Sequence, residues 1–94
     1  MPYLGKISEH SEFGYWVSTI KKSRNMSCEK LGLQCGVDSH AISSYCTGKN
    51  YPSIMTLIRL REGVHLTDEE FIQAIDALTA DLYEAGKLDL LLDD

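Results

Sequence analysis

Apolar residues recur at gaps of three and four along nearly the whole chain, and that period admits helices and little else. Phe13, Trp16, Val17 and Ile20 fall on one face of a helix running from Glu12 to Arg24. Far downstream, Phe71, Ile75, Leu78, Leu82 and Ala85 repeat at gaps of 4, 3, 4 and 3. β-Branched residues nowhere alternate over a useful stretch, and only 2 prolines interrupt the 94 residues. The expected fold class is therefore all-α, with five helices in one small domain.

Start and stop residues divide the pattern. Ser11 caps the first helix and Asn25 stops it, with Lys21, Lys22 and Arg24 in a last turn that favours cations. Ser27 caps a short second helix, Cys28 to Cys35, where Leu31 and Cys35 share a face, Leu33 adds apolar surface and Gly36 ends the run. Asp38 caps a third, Ser39 to about Cys46, with Ala41, Ile42 and Tyr45 inward and Gly48 at its end. After the loop Lys49-Asn50-Tyr51-Pro52, Ser53 caps a fourth helix carrying Ile54, Leu57, Ile58 and Leu60, which Gly63 is expected to break. Thr67-Asp68-Glu69-Glu70 reads as a capping box opening a fifth helix through about Ala85, with Leu66 placed to staple onto Phe71 and Gly86 closing it. The expected organisation is an arm over 1–11, a first unit over 12–66, and a C-terminal helix and acidic tail over 67–94 that serves the same domain as a packing or dimerisation element.

Charge is unevenly spread. Residues 1–61 carry eight Lys and Arg against four Asp and Glu, a net of +4, whereas residues 62–94 carry Lys87 alone against ten acids, a net of −9. Salt screens over about 8–10 Å, so a basic surface can operate on a molecule whose total is −5. Cys28, Cys35 and Cys46 are odd in number, and six and ten residues separate them, so neither a disulfide framework nor a CxxC metal site is expected. They read as reduced thiols of a cytoplasmic protein. The longest apolar runs fall far short of the roughly 20 residues that span a bilayer. The start Met1-Pro2-Tyr3-Leu4-Gly5-Lys6 has no long apolar core, and no secretory signal is expected. No glycine-flanked nucleophile, supported carboxylate pair or GxxxxGK loop is present, so neither an enzyme nor a cofactor is expected.

Two short helices joined at a glycine, the second carrying small polar residues on its outer face, form a helix-turn-helix pattern. The details extend it: Ile20-Lys21-Lys22-Ser23-Arg24-Asn25-Met26-Ser27, Leu31-Gly32, Gly36-Val37, Ile42-Ser43-Ser44-Tyr45, Gly48-Lys49 and Pro52-Ser53. In their joint spacing these residues resemble the lambda-repressor-like (Xre/Cro-type) helix-turn-helix family over about residues 13–66. The resemblance implies a DNA-binding domain whose third helix enters the major groove while the second lies across the backbone. Gly32 stands where relatives usually carry Ala, at the crossing of helices 2 and 3.

Carried over position by position, the resemblance makes Ser39, His40, Ser43 and Ser44 the base-contacting residues. It makes Ser27, Cys28, Thr47 and Lys49 phosphate contacts, with Lys30 and Lys22 nearby. From Ser39 to Thr47 there is no Arg, Lys, Gln or Asn, so bidentate base readers are missing. Many relatives carry Gln at the position of Cys28 and, at that of Cys46, a Glu that pairs with a base at the position of Lys21. Exchanging such a pair for thiols is neutral if Lys21 reaches solvent.

The fifth-helix stripe reads either as packing onto its own domain or as a two-fold contact through Phe71, Ile75, Leu78 and Leu82, which Leu90 of the tail would extend. The leading expectation is a sequence-specific transcriptional regulator, a repressor acting as a homodimer on a palindromic double-stranded operator, bacterial or phage-encoded. The alternative is a protein-interaction module of the same fold (an antitoxin, adaptor or antirepressor) that engages a partner through its acidic C-terminal half.

Overall fold

The computed structural model describes residues 11–92, so the expected arm, Ser11 apart, lies outside the described residues. Within them the chain is all-helical, without strands: α1 (Glu12–Arg24), α2 (Cys28–Cys35), α3 (Ser39–Thr47), α4 (Ile54–Val64), α5 (Asp68–Ala85) and a short 3-10 helix (Leu88–Leu92). Among the described residues no helix is long and apolar enough to cross a membrane.

The helix ends follow from local chemistry. Ser11, Ser27, Ser53 and Thr67 each accept a hydrogen bond from the backbone N–H three residues on, and Asp38 accepts from His40 N. Asn25, Gly36, Gly48 and Gly86 leave their helices in the left-handed region. Glu70 completes the capping box by accepting from Thr67 N at 3.0 Å. One expectation is corrected: Gly63 does not break α4, which continues to Val64 and ends at His65 with φ 55°. Gly63 is present because the backbone packs on α2. A Cβ there would lie 2.5 Å from Cys35 Sγ and 2.7 Å from Cys35 Cα. A glycine in a helix costs about 1 kcal/mol in propensity, which this close packing outweighs.

The core gathers one face from every helix. Phe13, Val17, Leu31, Ile42, Leu57, Leu78 and Leu82 are almost wholly excluded from water, and Trp16 stacks on Phe13 with ring centroids 5.5 Å apart. Helix α1 packs against both α3 and α5, while α2 packs against α3 and α4. The α2–α3 approach is close enough that a Cβ on Gly32 would collide with the carbonyl of Val37, and one on Gly14 would meet the last carbonyls of α3 at 2.5 Å and 2.7 Å. Leu33, by contrast, is 85% exposed and adds nothing to the core.

Leu78 and Leu82 of the fifth-helix stripe are fully buried within the chain's own core. The packing alternative thus accounts for them, and they offer no surface to a second copy. Phe71, Ile75 and Leu90 are half-buried against the same core. The tail folds back through its 3-10 helix onto α5, with Leu90 and Leu91 packed on the core. Asp93 and Asp94 lie outside the described residues.

Candidate nucleic-acid interface

Helix α3 has two sharply different faces. Ile42 and Tyr45 are locked into the core, and burial pushes the Tyr45 phenol upward. His40 and Ser43 are exposed, and Ser39 and Ser44 are half-buried. The hydroxyls of Ser39, Ser43 and Ser44 have no hydrogen-bond partner among the described residues. The His40 side chain is 94% exposed, with Nδ1 3.6 Å from Asp38 Oδ1, so the nearest charge is the cap of its own helix. These four side chains can donate to or accept from an external partner without first breaking a tertiary contact.

The expected phosphate contacts divide into free and engaged groups. Lys22, Lys30 and Lys49 are exposed and in no ion pair among the described residues. Ser27 Oγ accepts from Lys30 N at 3.1 Å, and Thr47 Oγ1 donates to the carbonyls of Ser43 and Ser44. Cys28 is half-buried, and its Sγ accepts from Lys21 Nζ at 3.1 Å. Lys21 is half-buried and spends a donor on that thiol. Its ammonium sits among thiols, and the hydrogen bond to Cys28 holds its pKa above the usual lysine value.

Beside α3 lies an open groove of about 400 Å³ between α2 and the start of α3, lined by Glu29, Leu33, Gly36, Val37, Asp38 and Ser39. Its two carboxylates would repel a phosphate placed there, whereas its exposed Leu33 offers apolar contact. Among the described residues no group of three His, Cys, Asp or Glu is placed to hold a metal ion.

Three structural roles escaped sequence reasoning. Asp81 of α5 accepts from Glu12 N at 3.0 Å and Phe13 N at 2.9 Å, capping α1 from 68 and 69 residues away. With Ser11 accepting from Gly14 N, three of the otherwise unpaired amides at the α1 N-terminus are satisfied. Arg24 binds Glu70 through two parallel bonds of 3.0 Å and 2.8 Å and also donates to the carbonyl of Val64. Arg61 pairs with Asp68 at 2.6 Å and lies over the Phe71 ring, 4.6 Å from its centroid. Periodicity carries no signal for contacts of this range. An acid or base isolated on a half-buried helix face is the only sequence cue to them.

No protein-family model, curated protein or solved structure matches the chain.

Proposed function

We propose that this chain is a DNA-binding transcriptional regulator of the lambda-repressor-like helix-turn-helix type, acting as a homodimeric repressor on a palindromic operator. In this reading α2 and α3 form the helix-turn-helix, and the start of α3 enters the major groove. The observation that carries it is the division of α3. One face is fixed in the core by Ile42 and Tyr45, and the other presents Ser39, His40, Ser43 and Ser44 with no tertiary bonds among the described residues. Gly32 adds support, because the close approach it permits sets α2 across the base of α3. Exposed Lys22, Lys30 and Lys49 supply the sequence-independent attraction to phosphate, while serines and one histidine read base edges. With Leu78 and Leu82 inside the core, the dimer contact falls to surface outside that pair.

The test is binding to the DNA upstream of the protein's own gene against a scrambled duplex over a salt series. Saturable preference that survives physiological salt is expected. Ser39→Ala with His40→Ala should abolish that preference and leave the helical content unchanged. Retained preference in the double variant would refute the base-reading role of α3. Equal weak binding to both duplexes, lost at moderate salt, would overturn the reading. It would favour the alternative of a partner-binding module that engages its partner through the acidic C-terminal half.

A further inference from the structure

Lys21 of α1, Cys28 at the start of α2 and Cys46 near the end of α3 meet where the three helices adjoin. Lys21 Nζ donates to Cys28 Sγ at 3.1 Å. Cys46 neighbours Cys28, Ser18 and Lys21 there. Both cysteines are unpaired thiols and half-buried, neither sealed in the core nor fully open. The third thiol, Cys35, is buried elsewhere against the carbonyl of Leu60.

We propose that Cys28 and Cys46 are a redox site, closing to a reversible intramolecular disulfide when the protein meets a hydroperoxide. Cys28 is the attacking sulphur. Lys21 Nζ, 3.1 Å away, is placed to donate to that sulphur, which stands at the first residue of a helix. Cys46 is the resolving sulphur, and burial pushes its thiol up, away from direct attack. In the first step Cys28 sulphur bonds to the distal peroxide oxygen and the O–O bond breaks. The remaining oxygen leaves as alcohol, or as water from hydrogen peroxide, with the thiol's proton. Cys28 is then a sulphenic acid. In the second step Cys46 sulphur bonds to Cys28 sulphur, the S–O bond breaks, and the oxygen leaves as water with the Cys46 proton. Two electrons pass from the thiols to the peroxide, and an external dithiol returns them.

Closure ties the start of α2 to the last turn of α3 and removes the acceptor from Lys21. On the DNA-binding reading this engages Cys28 and the neighbourhood of Thr47, both expected phosphate contacts, so oxidation should weaken operator binding. That consequence rests on the DNA-binding reading, and the thiol chemistry does not.

The experiment treats the reduced, full-length wild-type chain with hydrogen peroxide, blocks remaining thiols with an alkylating agent, and reads intact mass and peptide map. Expected is a monomer lighter by about 2 Da before alkylation, with a Cys28–Cys46 linked peptide, Cys35 alone alkylated, and full reversal by a dithiol. Lys21→Gln should slow closure about tenfold, and Cys35→Ser should leave it unchanged. Three alkylated thiols after treatment, Cys28 carried on to sulphinic acid without linkage, or links only between chains would overturn the pair. An unchanged rate in a folded Lys21→Gln variant would overturn the assignment to Lys21. Loss of operator preference without the link, or the link without any such preference, separates this proposal from the DNA-binding one.

Discussion

The basic front and the acidic back of the molecule use their charges in opposite ways. Lys22, Lys30 and Lys49 stand in solvent without ion-pair partners among the described residues. On the back, Asp68, Glu70 and Asp81 are bound to Arg61, to Arg24 and to the N-terminus of α1. Three of the ten acids in residues 62–94 are thus engaged within the fold, and the net of −9 overstates what that half can offer a partner. The free lysines, by contrast, are available in full. Net charge therefore favours the acidic half as a docking surface more strongly than the arrangement of its carboxylates does.

The largest effect should come from the element that joins the two halves. Leu78 is fully buried where α5 packs on the rest of the core. Leu78→Ala should cost about 3–4 kcal/mol in urea unfolding, the usual range for a leucine emptied from a packed interior. A loss below about 1 kcal/mol, accompanied by dissociation of a dimer in sedimentation, would return this stripe to an interface and undo the comparison.

A smaller effect separates bound acids from free bases directly. Asp81→Ala leaves the amides of Glu12 and Phe13 without their carboxylate and removes a negative charge from a helix N-terminus. It should cost about 1–2 kcal/mol, as the loss of a good N-cap does. Lys22→Gln, Lys30→Gln and Lys49→Gln should each stay within about 0.5 kcal/mol of the parent. If a lysine variant loses as much stability as Asp81→Ala, the front is not free.

What was legible in the sequence is the chemistry that acts over a few residues. Ser11, Ser27, Asp38, Ser53 and Thr67 sit at the helix starts, and Asn25, Gly36, Gly48 and Gly86 at the stops, because each acts on amides or carbonyls within one turn. Gly63 was misleading for the same reason. Its local meaning is a break, and only the neighbouring Cys35 shows why a glycine is needed inside a helix. Asp81, Arg24 and the Lys21–Cys28–Cys46 cluster were out of reach, since their partners come from other helices and their meaning exists only after packing. Of the candidate site, the exposure of His40 and Ser43 follows from helical register, whereas the engagement of Cys28 by Lys21 does not.

The smallest effect appears only in acid. Arg24 beside Glu70, with help from the Thr67 amide, holds the Glu70 carboxyl at about 2 against an ordinary 4.5. The unfolded chain therefore takes up a proton at higher pH than the folded one, and the stabilisation from this group is complete above about pH 4.5. It should fade as pH falls from there through about 2, below which both forms are protonated. The side chain is 27% exposed, so solvent screening reduces the contribution to about 1 kcal/mol. Glu70→Gln should remove that amount at pH 7 and flatten the difference between about pH 5 and about pH 2.5, a range in which the parent still titrates. If the parent and the variant lose stability in parallel over that range, Glu70 is not a bound acid, and the contrast between a structural back and a free front rests on Asp81 and Asp68 alone.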